Sequence, residues 1–432
     1  MRYQQNTDGC FAGVIGETGL GDDAYRDLLG QCSGALEKLR AGAGGGTLAF
    51  MDMSEAAGGL QSLEPIAEKY IEAFDHVVCL GVGGSSLGAR TLCALSPAPL
   101  SGERPRLHFM DNIDPDSFAA LFGAIDPART GFVVTSKSGA TAETLSQFLI
   151  ALDWMRSALP GAQIADHFTA ITEPGPRPLR NLAQKFSIPI LDHDPKIGGR
   201  YAALSVVGLL PALIAGLDGD ALRQGAAGTL APLLDGAAPE NFAPAIGAAI
   251  NVGLAQNNRV TATVMMPYLD RMTEFGAWFR QLWAESLGKN GLGTTPIRAL
   301  GAVDQHSQLQ LYLDGPSDKL FTLIFAAAKG TGAMIDAELA SEAGLGYLAG
   351  HRMGDLLDAE QRATAAALTQ CKRPVRIIAL ERLDEEAMGA LMMHFMIETV
   401  IAAHLLGVNA FDQPAVEAGK EMARRTLETG RP

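Results

Sequence analysis

The sequence is poor in charge, in cysteine and in long apolar runs, and each shortage excludes a class of protein. Charged residues make up only 19% of the 432 residues, which indicates that most of the chain is packed and globular. The net charge of −14 argues against binding to nucleic acid or an anionic membrane surface. Five cysteines form an odd set without metal-ligand spacing, which predicts buried free thiols in a reducing compartment. With no basic-then-apolar N-terminal segment and no uncharged run of membrane-spanning length, we expect a soluble cytoplasmic protein.

The order of apolar segments predicts an α/β fold. Apolar residues supply 47% of the chain, enough for two domains of ordinary size. From residue 62, helical patterns alternate with five short strands, in HVVCL, RLHFMDN, TGFVVTSKS, HFTAITEP and IPILDHD. This alternation is typical of a parallel doubly wound sheet, whose ligands bind at the carboxyl ends of its strands. A second series has strands in VTATVMMPY, KLFTLIFAAA and PVRIIALERL, so we expect two such sheets.

We divide the chain into four parts. These are an N-terminal extension wrapped on the main body, a first α/β domain, a second α/β domain with its connecting helices, and a C-terminal helix, at residues 1–60, 61–200, 201–408 and 409–432. The apolar segment 198–217 is predicted to be one long helix that joins the two halves. The segment DEEAMGALMMHFMIETVIAAHLLG is apolar nearly all round, which predicts a helix buried between layers.

Two hydroxyl-rich turns follow strands of the first predicted sheet and open helices. GVGGSSLG, which contains Gly84 and Ser85, presents backbone N–H groups and hydroxyls at a helix N-terminus, where an anion binds well. It lacks the G-x-G-x-x-G spacing and an acidic residue with a ribose role, so a small phosphate is favoured over a dinucleotide. The alternative for this turn is a tight turn in which glycine serves packing, and the alternative for the second turn, SKSGAT, is a helix cap. The second turn offers the same phosphate three hydroxyls and a lysine, from Ser136, Lys137, Ser138 and Thr141.

A predicted helix that starts at Glu274 carries a candidate acid/base group. Its buried stripe is marked at helical spacing by Phe275, Phe279 and Leu282. Gln281 and Glu285 share one face at the border of that stripe, where partial desolvation favours a general base. After the bend GKNGLGTTP, His306 lies among amide and hydroxyl partners in DQHSQ. Glu285 and His306 together predict acid/base chemistry on a small polar substrate. The alternative is that Glu285 is a solvated carboxylate and that DQHSQ is a helix-capping cluster.

The sequence pattern alone does not decide the roles of two cationic residues. Arg200, in GGRY before an apolar segment, could stabilise an oxyanion or form a salt bridge between domains. Lys420, on the last predicted helix, has the surroundings of an ordinary solvated lysine.

Six motifs occur in order between residues 81 and 420: GVGGSSLG, TSKSGATAET, GGRYAALSVVGLLP, QLWAESLGKNG, TTPIRALGAVDQHSQLQLYLDGP and AFDQPAVEAGK. Together they resemble the glucose-6-phosphate isomerase (phosphoglucose isomerase) family in its short bacterial form. The resemblance implies two flavodoxin-like sugar-isomerase (SIS) domains, each with a parallel doubly wound sheet. It also implies reversible isomerisation of glucose 6-phosphate to fructose 6-phosphate through ring opening and a cis-enediolate. No cofactor and no metal is implied, and the enzyme would be a homodimer with shared active sites.

The resemblance implies a role for each matching residue. Glu285 would move the proton between C2 and C1, Arg200 would stabilise the enediolate, and Gln281 would contact the sugar. His306, donated across the dimer interface, and Lys420 would open the ring. The phosphate would be bound by Gly84, Ser85, Ser136, Lys137, Ser138 and Thr141.

The second serine turn departs from S-K-T-F-T-T-x-E-T, a common pattern in that family. Gly139 replaces an aromatic residue and Ala140 removes a hydroxyl, whereas the three hydroxyls proposed to hold phosphate remain. Two other interpretations stay open: a related isomerase that also accepts mannose 6-phosphate, and a non-enzymatic sugar-phosphate sensor. The sensor would be expected to lack the joint presence of Glu285, His306, Arg200 and Lys420.

Overall fold

Two five-stranded sheets surrounded by helices organise the computed structural model, which describes residues 2–43, 47–52, 59–96, 104–159 and 164–430. The N-terminal region contains β1 (Tyr3–Asn6), α1 (Ala12–Ile15) and α2 (Asp22–Gly42). The next region contains α3 (Leu60–Ala73), β2 (His76–Leu80), α4 (Leu87–Cys93), β3 (Arg106–Met110), α5 (Pro115–Ala124), β4 (Thr130–Thr135), α6 (Ala142–Ala158), β5 (Phe168–Thr172), α7 (Pro178–Lys185) and β6 (Ile190–Asp192). The first sheet has the order β3-β2-β4-β5-β6 and is parallel throughout.

The second sheet follows three connecting helices, α8 (Val206–Ile214), α9 (Gly219–Leu234) and α10 (Ala243–Asn257). Its region contains β7 (Ala262–Pro267), α11 (Thr273–Leu287), β8 (Thr295–Arg298), α12 (Leu309–Asp314), β9 (Lys319–Phe325), α13 (Ala337–Glu342), α14 (Met353–Gln370), β10 (Val375–Leu380), α15 (Glu385–Leu406) and α16 (Glu417–Thr429). The order is β1-β10-β9-β7-β8, with β1 antiparallel to β10 and the other pairs parallel. The predicted α/β class is confirmed, with one antiparallel edge strand added.

Two edge strands of the second sheet were not predicted from the sequence. β8 has only four residues and exposed ends, so it is too short to show a period of two. β1, with the sequence YQQN, is polar and alternates between buried and exposed positions at the sheet edge. It belongs to the predicted extension 1–60, of which residues 44–46 and 53–58 lie outside the described residues.

The prediction of one long helix over residues 198–217 is wrong. Gly199–Leu204 form a 3-10 turn, and α8 begins only after Ser205, whose backbone is extended and whose hydroxyl accepts a hydrogen bond from the Val207 N–H. Apolar composition does not report such a capped break, because both segments are buried. The turn is what holds Arg200 beside the loops of the first sheet.

The helix α15 lies in the core. Its five methionine and phenylalanine side chains Met388, Met392, Met393, Phe395 and Met396 are almost fully buried, and the helix packs against α2, α9, α10 and α11. Its length and composition would suffice to cross a membrane, and among the described helices it alone meets that test. Most of its residues are buried within the protein, as the prediction of a helix between layers requires.

A buried polar network joins β1 to its neighbouring strand β10 and to helix α15. The Tyr3 hydroxyl lies 2.5 Å from Nδ1 of His394, and Arg376 donates to both carboxylate oxygens of Glu398 over 2.8 and 2.6 Å. Arg376 also donates to the Gln5 side chain. Burial opposes ionisation of Glu398, but the adjacent guanidinium holds its pKa below the ordinary value. The network therefore contains a buried ion pair whose charges depend on each other.

We expect Arg376→Met to destabilise the protein by about 3–5 kcal/mol, because it leaves the buried Glu398 carboxylate without its cation. The free energy of unfolding from urea titration measures the effect. Arg424→Met is the matched control, since its ion pair with Glu428 is exposed and screened by water, so its loss should leave the free energy of unfolding nearly unchanged. A loss of under about 1 kcal/mol for the Arg376 variant would contradict the prediction.

Candidate active site

A cavity of about 360 Å³ lies at the carboxyl edge of the first sheet. The loops after β2, β4 and β5 meet the 3-10 turn Gly199–Leu204, helix α11 and the segment before α16 there. The cavity is lined by Val82, Gly84, Ser85, Lys137, Ser138, Thr141, Glu173, Gly198, Gly199, Arg200, Gln281, Glu285, Phe411, Gln413 and Lys420. Carboxyl edges of parallel sheets are the usual place for ligands, because loops and helix N-termini converge at them.

The first serine turn packs closely against two other parts of the site. A side chain on Gly84 would place its Cβ 2.3 Å from the carbonyl carbon of Gly199, so only glycine fits there. Gly83 has a φ of +59°, and a Cβ on it would lie 2.9 Å from Nε2 of Gln281. The two glycines thus bring the turn against both the Arg200 segment and the face of α11 that carries Gln281.

The second serine turn is ordered by its own side chains. The Ser136 hydroxyl donates to Oγ1 of Thr141 over 3.0 Å, and Oγ of Ser138 accepts from the Ala140 N–H. Lys137 donates to the Pro195 carbonyl over 2.9 Å. Ser136 is buried and does not line the cavity, whereas Ser138 and Thr141 do. Ser136 therefore does not face the cavity, and its hydrogen bond to Thr141 orients a side chain that does.

The departure at Gly139 has a backbone reason. Its φ is +62°, in the left-handed region that favours glycine. A Cβ there would lie 2.7 Å from Cβ of Arg177, so an aromatic side chain would not fit this turn without movement.

Glu285 is held on both carboxylate oxygens. Nη1 of Arg200 donates to Oε2 over 3.2 Å, and Nε2 of Gln281 donates to Oε1 over 3.1 Å. The Arg200 side chain is only 4% exposed, whereas that of Glu285 is 34% exposed toward the cavity it lines. Nε of Arg200 also donates to the Ser286 hydroxyl over 2.8 Å. A carboxylate oriented in this way can reach a substrate atom while its geometry stays fixed.

The segment before α16 closes the site from the other side. Arg200 donates to the Gln413 side chain over 2.8 Å and to the carbonyls of Ala410 and Asp412 over 2.6 and 3.0 Å. Lys420 lines the same cavity, although its side chain is 66% exposed and pairs with Glu417. The Arg200 guanidinium therefore joins α11 to the C-terminal part of the chain.

His306 does not line this cavity. It follows the 3-10 turn Val303–Gln305 and is exposed. The neighbouring Asp304 carboxylate accepts from the Leu300 N–H over 2.7 Å and from the Ser307 hydroxyl. Burial opposes ionisation of Asp304, but these hydrogen bonds lower its pKa. The capping cluster considered for DQHSQ is thus built on Asp304, and the Glu285–His306 pair is not assembled within one chain.

The family profile described as phosphoglucose isomerase matches residues 66–300 and 337–431. The chain belongs to the phosphoglucose isomerase family. Glucose-6-phosphate isomerase from Rubrobacter xylanophilus is 38% identical over 426 residues, which cover 94% of this chain and 98% of that protein. Glucose-6-phosphate isomerase from Thermus thermophilus is 36% identical over 402 residues, which cover 90% of this chain and 92% of that protein.

Solved structures show the same fold. A hypothetical protein from Thermus thermophilus superposes with a TM-score of 0.86 at 34% identity, covering 98% of this chain and 99% of that one. A glucose-6-phosphate isomerase from Chlamydia trachomatis superposes with a TM-score of 0.79 at 22% identity, covering 99% and 88%. The family and the α/β sugar-isomerase fold predicted from the motifs are therefore confirmed.

Within this phosphoglucose isomerase family member, most of the predicted site residues share the one cavity. They are Gly84, Ser85, Lys137, Ser138, Thr141, Arg200, Gln281, Glu285 and Lys420. Ser136 and His306 do not line it. Two lining residues were not predicted from the sequence, Gln413 and Glu173. Gln413 lies in the motif AFDQPAVEAGK. Glu173 directly follows β5, and this position at the carboxyl end of a parallel strand could have indicated it.

We expect Gly84→Ala to lower kcat/KM for isomerisation by about tenfold or more, because displacement of the site by about 1 Å can cost as much as 10²-fold. The added Cβ meets backbone at Gly199, which cannot move away as a side chain could. Gly123→Ala in α5 is the matched control, since its Cβ would meet nothing within 4 Å. Steady-state kinetics of both variants measure the effect, and equal activities would contradict it.

Proposed function

We propose that the protein interconverts D-glucose 6-phosphate and D-fructose 6-phosphate, with Glu285 as the group that transfers the proton. The observation that carries the proposal is the Glu285 carboxylate, held between Arg200 and Gln281 in a cavity that also contains two hydroxyl-rich turns. Membership of the phosphoglucose isomerase family supports the choice of substrate.

The chemistry requires a base that can also act as an acid. Aldose–ketose isomerisation removes a proton α to a carbonyl and returns it to the neighbouring carbon, and one carboxylate can perform both steps. The charge that develops on the enediolate oxygens needs a fixed donor. Arg200 supplies one beside Glu285, and loss of such a donor typically costs about 2.7–4 kcal/mol of transition-state stabilisation.

The phosphate is proposed to bind at the two serine turns. Ser85, Ser138 and Thr141 offer hydroxyl donors from the cavity wall. Thr141 also precedes α6, whose N-terminus carries unpaired N–H groups and a positive partial charge. Lys137 lies 3.6 Å from Glu173, which also pairs with Arg177, so the two cations and one carboxylate leave a net positive charge at this end of the cavity. The phosphate does not react, so its binding energy can position the sugar carbons at Glu285.

Ring opening is assigned to His306 and Lys420, and with it a homodimer whose subunits share active sites. His306 is exposed, and Val303 and Leu311 beside it are exposed apolar side chains. The helix α16, which carries Lys420, has no buried residue, and its Leu427 is 88% exposed. A second copy of the chain would cover these apolar groups and could bring His306 to the neighbouring cavity.

The cytoplasm is the proposed location. All five cysteines are free thiols, and three of them are buried. Free thiols in a set of this size are usual in a reducing compartment.

We expect Glu285→Gln to lower kcat by about 10²–10⁴, because the amide keeps the shape of the carboxylate but cannot accept the proton. A coupled assay of fructose 6-phosphate conversion to glucose 6-phosphate measures the loss. Glu274→Gln on the same helix is the matched control, since Glu274 pairs with Arg90 outside the cavity. An inactive wild type, or a Glu285 variant that keeps most of its activity, would refute the proposal.

Mixing subunits tests the shared site. If His306 is donated by the partner, His306→Ala and Glu285→Gln subunits mixed after dissociation should regain about a quarter of wild-type activity, because half of the dimers are hybrids with one intact site. Each variant alone supplies the baseline. No gain over that baseline, with hybrids verified by mass spectrometry, would show that each site is built within one subunit.

A further inference from the structure

We infer that Lys289 is a positioning residue of this active site, one that ties the end of the Glu285 helix to the C-terminal segment, residues 409–413, which holds Arg200. The inference rests on the proposed function, since it concerns the same site. Lys289 does not line the cavity and therefore does not touch the substrate. It acts through the groups that do.

The Lys289 ammonium contacts both the end of α11 and the C-terminal segment. Nζ donates to the Glu285 carbonyl over 3.0 Å and to the Ser286 carbonyl over 2.8 Å. It also donates to the Asn409 carbonyl and lies 3.3 Å from Oδ1 of Asp412. An ammonium has three donors, and the three carbonyls use them all. The side chain is 12% exposed, so these contacts are shielded from water.

The first pair of contacts stabilises the last turn of α11. Carbonyls in the last turn of a helix have no intrahelical N–H partner, and the helix dipole places negative charge there. The Glu285 and Ser286 carbonyls are in that turn. A cation bonded to both therefore fixes the backbone directly beneath the Glu285 side chain.

The second pair of contacts stabilises the C-terminal segment. Within it, Asn409 donates to the Asp412 carboxylate over 2.9 Å and accepts from the Phe411 N–H over 3.0 Å. Arg200 is bonded to the same segment through Ala410, Asp412 and Gln413. The segment is thus held by two cations that both also contact α11, since Arg200 reaches Glu285 and Ser286.

Removing Lys289 would leave Arg200 as the one cation bonded to both elements among the described residues. The 3.2 Å contact between Arg200 and Glu285 should then vary, and with it the alignment of the base and the enediolate donor. The phosphate turns contact neither Lys289 nor residues 409–413 in any described hydrogen bond. Loss of Lys289 should therefore lower kcat and leave phosphate binding unchanged.

The test compares Lys289→Met with the wild-type enzyme in steady-state kinetics and in amide hydrogen exchange. We expect kcat to fall at least tenfold, KM for fructose 6-phosphate to stay within about threefold, and exchange over residues 408–416 to accelerate. Affinity for 5-phosphoarabinonate, whose planar carboxylate has the shape and charge of an enediolate, should fall at least tenfold. The inhibition constant of inorganic phosphate should not change. Lys69→Met is the matched control, because Lys69 pairs with Asp166 at an exposed site.

Two results would overturn the inference. One is a folded Lys289→Met enzyme whose kcat and exchange over 408–416 match the wild type. The other is equal loss of affinity for inorganic phosphate and for 5-phosphoarabinonate, which would indicate a general structural role. If Lys289→Met does not fold, Asp412→Asn removes one contact and should give the same pattern at roughly two- to fivefold. If the wild-type protein does not isomerise fructose 6-phosphate but Lys289→Met still accelerates exchange over residues 408–416, the proposed function is refuted. The structural link that Lys289 makes between α11 and the C-terminal segment would still be supported.

Discussion

The buried guanidinium of Arg200 is the interaction on which the candidate site depends. It carries five N–H donors, and all five have acceptors: Ser286 from Nε, Glu285 and Gln413 from Nη1, and the Ala410 and Asp412 carbonyls from Nη2. A buried charge is tolerated only when it is paired and fully hydrogen-bonded. The 3-10 turn, the end of α11 and the C-terminal segment must therefore meet at this point.

The division of these donors has a consequence for catalysis. Nη2 is committed to backbone carbonyls, which cannot leave without moving the segment. Nη1 bonds the side chains of Glu285 and Gln413, which both line the cavity, so this nitrogen faces the space that a substrate would fill. In the proposed mechanism, Nη1 is therefore the donor that would face an enediolate oxygen, while Nη2 and Nε keep the guanidinium in place. Preorganisation of this kind is what makes an electrostatic catalyst effective.

The two serine turns meet the same site through close backbone approach instead of charge. Gly84 allows the first turn to touch the Gly199 backbone, and the 3-10 turn then presents Arg200 next to it. Had residues 198–217 been one continuous helix, Arg200 would lie on a regular helical face. The break at Ser205 therefore has a direct role in building the cavity.

The motifs identified the family and most of the lining residues, because local spacing determines local geometry. Residues four apart on a helix share a face, so Gln281 and Glu285 were expected together and form a hydrogen bond. Hydroxyl-rich turns between a strand and a helix were expected at the carboxyl edge of the sheet. They lie there because parallel strands end on one side.

Tertiary structure alone decided the contacts between distant parts of the chain. Arg200 finds three of its acceptors some 210 residues away, and no local pattern specifies such a pairing. It also separated Ser136, which supports Thr141 from behind, from the hydroxyls that face the cavity. It placed His306 outside the cavity of its own chain. These outcomes depend on packing between elements, and a one-dimensional sequence pattern carries chemistry and period but not the distance between elements.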